Sequence, residues 1–244
     1  MKNLKRYTVL IFLLSILGSS LLYSSIVKKM TVNFSNFTSI SKNCYIDSEI
    51  EEKNHKHIQS LINNAKQRII DKFGSFKSNP IIIVTGTKKS AKEYGTNDFG
   101  STVVLPWNQY VVFGPKGHNI DVMAHELLHA EIGHRLGYFI RQFKLPIWLD
   151  EGIAMQVDYR KKYDIDIKSI NSSELKRVKS ISKRSILNPN HFWSGGEKQI
   201  IKNYQISKAL VSEILNQDLN KSLYSMLKKV KEGKRFEDVF SIQN

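Results

Sequence analysis

Hydrophobic and polar positions divide the chain into a leading apolar run and a patterned body. No charged residue lies between Tyr7 and Val27; Lys2, Lys5 and Arg6 precede this run, and Lys28 and Lys29 close it. At 21 residues it has about the length a helix needs to cross a bilayer core. Serines interrupt it, and its most apolar part, Val9 to Leu17, is followed by Gly18-Ser19-Ser20, a small-residue cleavage pattern. Residues 1–29 are therefore expected to be a signal-anchor or a signal peptide. The basic leading end then predicts a body outside the cytoplasm, held to the membrane through residues 7–27, or secreted if the segment is cleaved. Residues 30–46, polar and rich in Ser and Asn, read as a linker, which leaves 47–244 as the folded domain.

Within that domain the apolar spacing changes twice. Ser48-x-x-Glu51 has the form of a capping box, and Ile58, Leu61, Ile62, Ala65, Ile69 and Phe73 then keep helical spacing up to Gly74. Ile81 to Val84 is a short β-branched run between Pro80 and Gly86. Thr102 to Leu105 and Tyr110 to Phe113, separated by Pro106-Trp107-Asn108-Gln109, predict a β-hairpin. Everything after Asn119 has helical spacing, including Leu223 to Gly233 and Phe236 to Phe240. Strands followed by helices predict an α+β fold with a small N-terminal mixed sheet that includes the hairpin, not a parallel βαβ fold.

Composition changes this picture little. At 244 residues, 41% hydrophobic and 24% charged, the chain is globular. A single cysteine, Cys44, excludes an internal disulfide and a CxxC metal knuckle. The net charge of +15 comes from 37 basic and 22 acidic residues. It favours acidic partners, and nine basic against three acidic residues between Arg160 and Arg184 make residues 160–184 a candidate surface for anionic lipid or an envelope polymer. A solvated face is the plainer explanation of such a run. With an export segment ahead of the domain, nucleic acid is not an expected partner.

The chemistry lies in His125-Glu126-Leu127-Leu128-His129, an HExxH motif. On a helix, residues four apart are separated by about 40° around the axis, so both imidazoles leave one face. They can bind one zinc ion through neutral nitrogens, with Glu126 beside it to take a proton from water. Asn119 or Asp121 can cap this helix. A catalytic zinc needs a third protein ligand. His134 is one candidate, but five residues beyond His129 it points about 140° away. Glu151 is the better candidate, because Pro146 can open a second helix there and Gly152 permits close helix approach.

HExxH followed by Trp148-x-x-Glu151-Gly152-x-Ala154 resembles the gluzincin metallopeptidases, the peptidase MA superfamily, and the 21 residues from Ala130 to Asp150 fit that family's separation. The resemblance covers about residues 80 to 240. It implies a zincin-like fold with an HExxH helix, a glutamate helix and a C-terminal helical subdomain. It further implies His125, His129 and Glu151 as Zn2+ ligands and Glu126 as general base. The strand Tyr110 to Phe113 would bind an extended peptide by strand addition. A downstream Tyr or His commonly stabilises the oxyanion in this family; Tyr204 is the choice here, with Tyr159 and His191 behind it. Asp158, seven residues after Glu151, or Asp150 would orient a ligand histidine. The acidic residue the family often places four after the glutamate is replaced by Met155. No G-x-M-E-N element is present, which favours an endopeptidase over an aminopeptidase.

Two functions follow as expectations. One is a zinc-dependent endopeptidase acting on peptide or protein substrates with zinc-activated water. The other is a basic, membrane- or polyanion-binding protein with a structural or inactive zinc site.

Overall fold

A computed structural model describes residues 24–180, 192–217 and 222–241. One mixed sheet and a set of helices make an α+β fold. The strands are β1 (Phe37–Ser41), β2 (Cys44–Asp47), β3 (Ile81–Val84), β4 (Gly100–Val104) and β5 (Gln109–Phe113), in the order β1-β2-β3-β5-β4. β1/β2 and β4/β5 pair antiparallel, whereas β2/β3 and β3/β5 are parallel.

The expected hairpin is β4/β5, and the helix from the Ile58–Phe73 pattern is α1 (His55–Phe73), ended by Gly74 at φ +88. Two expectations are corrected. Residues 30–46 are not a linker, because they carry β1 and most of β2; Cys44 and Ile46 alternate inward under α1, a pattern too short to stand out among Ser and Asn. The sheet is mixed and contains the hairpin, as expected, with β2, α1 and β3 adding a parallel unit beside it. The capping box at Ser48 is not used either: a 3-10 turn, Glu52–Asn54, intervenes before α1 begins.

Among the described residues no helix is long and apolar enough to cross a membrane, which corrects the expectation of a single-pass membrane protein with its domain outside the cytoplasm. Most of the run Tyr7 to Val27 lies outside the described residues. Its described end packs on the domain: Lys28 bridges to Glu93 at 2.6 Å on the surface, and Lys29 is buried next to Gly95, so Lys29 is not a solvated flank. Burial lowers the Lys29 ammonium to about 8.

The sheet is covered on one face by α1 and by α3 (Ile120–Leu136), with Ile82, Val84, Val111 and Phe113 pointing into the main core. Ile83, Tyr110 and Val112 point the other way, into a smaller cluster with Val32 and Tyr94. A short helix, α2 (Lys88–Glu93), links β3 to β4. Beyond the sheet, α3 runs into α4 (Tyr138–Phe143) and α5 (Ile147–Ala154); α6 (Ser172–Ser180), α7 (Gly196–Asn216), α8 (Leu223–Lys231) and α9 (Phe236–Val239) complete the chain. Every residue of α3 from Val122 to Gly133 is buried, as is every residue of α5. α3 is thus the axis of the molecule, with β4, α1, α5 and α8 packed around it.

Candidate metal centre

α3 begins where the Asn119 side chain accepts a hydrogen bond from Val122 N–H, satisfying one of the donors that a helix start leaves unpaired. Its helical turn brings His125 Nε2 and His129 Nε2 to 3.2 Å. Pro146, extended at φ -62 and ψ 140, opens α5 and carries Glu151 to the same point. Glu151 Oε2 lies 3.3 Å from His125 Nε2 and 3.4 Å from His129 Nε2. The three donor atoms are within 4.8 Å of one another, and all three side chains are buried.

Gly152 allows this approach. A Cβ there would meet Ser207 carbonyl oxygen at 2.5 Å and the Val211 side chain at 2.6 Å, so α7 presses directly on the backbone of the glutamate helix.

The donor set fits a cation. His129 Nδ1 is 2.9 Å from Asp150 Oδ1, and Arg141 donates to Asp150 Oδ2 at 2.9 Å. With its Nδ1 hydrogen on Asp150, neutral His129 turns a lone pair from Nε2 toward Glu151 Oε2, which is buried and accepts no hydrogen bond. Lone pairs gathered in this way repel one another unless a positive charge lies between them. Without a metal, a proton supplies it. Burial opposes the charged form of His129, but Asp150 and Glu151 outweigh burial and push the imidazole up to about 10. Burial likewise opposes the charge on Glu151, and His129 and His125 hold that carboxyl down at about 2. A buried His125/His129/Glu151 group able to hold a metal ion is therefore present.

Glu126, next to His125 on α3, reaches the edge strand. The Thr102 hydroxyl is 2.8 Å from Glu126 Oε2 and also 2.8 Å from the Glu126 carbonyl oxygen. Gly100 clears the way for it, since a Cβ there would come within 2.9 Å of Glu126 Cγ. β4 is the free edge beside the site, whereas β5 is enclosed between β3 and β4. The expectation that Tyr110 to Phe113 would take an added strand is thereby corrected: all four residues already pair on both sides.

Tyr204, on α7, has its ring 6.2 Å from that of His125 and packs on Tyr163 and Phe192. Its hydroxyl accepts a hydrogen bond from Trp193 Nε1 at 3.0 Å. Burial, and then the charges on Glu151 and Glu126, keep the phenol protonated far above its usual range.

The remaining candidates fall elsewhere. His134 is exposed and outside the cluster. Tyr159 is 54% exposed and stacks on Arg68, and His191 lies outside the described residues. Of the two carboxylates expected to orient a ligand histidine, Asp158 is held by Arg160, and Asp150 takes that place because α5 packs its first turn against α3. Sequence reasoning missed Thr102, Gly100, Arg141 and Trp193. Only the first two left a trace, in the alternation of Gly100, Thr102 and Val104 along one strand face.

Comparison with protein-family models, curated proteins and solved structures finds no match for the chain.

Proposed function

We propose that the protein is a zinc-dependent peptidase of gluzincin type and that His125, His129 and Glu151 hold the zinc. The observation that carries this reading is the convergence of three buried donor atoms on one point, with a second glutamate one residue from the first histidine. Two imidazoles and one carboxylate are a zinc donor set that leaves a coordination position open. A zinc ion bound there would supply Lewis acidity, polarising a carbonyl and acidifying water.

The chain's own residues have separable roles. Glu126 accepts the proton of the attacking water at its carboxylate and returns it to the leaving amine. Thr102 holds that carboxylate against β4. Tyr204, kept protonated, donates its hydroxyl hydrogen toward the developing oxyanion. β4, an edge strand among the described residues, offers its outer side to an extended peptide, which favours cleavage within chains.

The test is proteolysis of a denatured protein and of an internally quenched peptide library by the zinc-loaded chain, with Glu126→Gln as control. Cleavage that falls at least about a hundredfold in the variant, at unchanged zinc content, is expected. Equal cleavage by both proteins would sink the assignment of Glu126. Bound zinc without cleavage of any peptide would favour a polyanion-binding protein with an inactive site.

A further inference from the structure

Tyr204 can act as a donor only if its single hydroxyl hydrogen is free to point at substrate, and the structure shows what frees it. A phenol oxygen has one hydrogen to give and can accept others. Trp193, an indole with a donor and no acceptor, approaches that oxygen at 3.0 Å. The contact can therefore run in one sense only: Trp193 gives and Tyr204 receives. Among the described residues no acceptor lies within reach of the Tyr204 hydrogen itself. The phenol ring is fixed on its other sides by Phe192 at 5.2 Å and Tyr163 at 5.5 Å, and it faces the His125 ring. Asn203, the residue before Tyr204, donates to the Phe192 carbonyl at 2.6 Å and so ties the tryptophan segment to α7.

We propose that Trp193 is a positioning residue for Tyr204: its indole N–H occupies the phenol oxygen from the outer side, leaving the phenol hydrogen to point inward at the metal centre. This role rests on the peptidase reading above. Trp193 is 41% exposed, and its neighbour Phe192, fully buried, fills the core beneath.

The experiment is a double-mutant cycle on the zinc-loaded full chain, using the best-cleaved member of the quenched peptide library. Tyr204→Phe is expected to lower kcat about a hundredfold, and Trp193→Phe about tenfold with KM little changed. In the Tyr204→Phe background, Trp193→Phe is expected to have no further effect, because a residue acting through the phenol has nothing left to position. An equal loss in both backgrounds would overturn the proposal, since a packing role does not depend on the hydroxyl. A second measurement does not depend on activity: the indole Nε1–H proton resonance of Trp193, identified by its loss in Trp193→Phe, is expected to move upfield in Tyr204→Phe. An unmoved resonance overturns the positioning role alone. Absence of any wild-type cleavage, with the resonance shift intact, overturns the peptidase reading and the positioning role with it.

Discussion

The charge of the site is set by single residues, and Asp150 is the most exposed to test. It bridges His129 Nδ1 and Arg141 inside a fully buried pocket. Asp150→Asn keeps the shape but weakens the hydrogen bond that fixes the imidazole tautomer, so zinc affinity should fall about 10- to 100-fold. Competition with a chromophoric chelator measures it, and an unchanged affinity would refute the role. His129 gives a second prediction. Its metal-free imidazole sits at about 10 and must lose the Nε2 proton to bind a cation, so metal affinity should rise about tenfold per pH unit between neutrality and pH 10. Calorimetry in buffers of different ionisation enthalpy should detect close to one proton released. The sign for the metal-free protein is opposite. A group raised from 6.5 to about 10 contributes stability that is complete below 6.5 and is lost as pH rises through 10. Thermal unfolding of the metal-free chain should therefore move to lower temperature between pH 7 and 10. Much of this was legible in the chain: His125, His129, Glu126 and Glu151 stand out by spacing. The choice between Asp150 and Asp158 was not legible: one step along a helix turns a side chain by about 100°, yet α3 meets both Glu151 and Asp150.

Among elements, the contact of α5 with α7 fixes where Glu151 sits. Gly152→Ala would drive a methyl group into the Ser207 carbonyl and force the helices apart, at a cost of about 1–3 kcal/mol by overpacking. Chemical denaturation checks the cost; zinc loading, which should also weaken, shows whether the displaced helix still delivers its carboxylate. Stability within 0.5 kcal/mol of wild type, on a scale where ordinary surface changes stay within about that range, would mean that α7 yields easily. Helices with strong periodicity, such as α1, and the β4/β5 hairpin could be read from the pattern alone. β1 and β2 could not, because each is at most five residues long and their burial depends on α1, which follows them in the chain. Strand order was equally hidden: which of β4 and β5 is the edge depends on β3 pairing in parallel with β5, and no local pattern records that.

For the whole molecule, the basic excess breaks into paired and unpaired groups. Arg160 is spent on Asp158, Lys208 on Asp164, Lys202 on Glu174, and Arg177 reaches the buried Asn203. Of the candidate anionic-partner surface 160–184, Lys161, Lys162, Lys168, Lys176 and Lys179 are left without a described ion pair, and residues 181–184 lie outside the described residues. Replacing these five lysines by Gln should leave zinc content unchanged and stability within about 0.5 kcal/mol of wild type, while retention on a polyanion column falls. Loss of metal in that variant would show that the charge supports the site and not a partner.

The burial of α3 on all sides has a consequence for heat and order. Both histidines stand on a helix buried without a break from Val122 to Gly133, and the carboxylate comes from another helix buried along its whole length. A metal arriving there would find its ligands already in place, so association should freeze out few rotations and leave the heat capacity of the protein nearly unchanged. A receptor that folded around its ion would do the reverse.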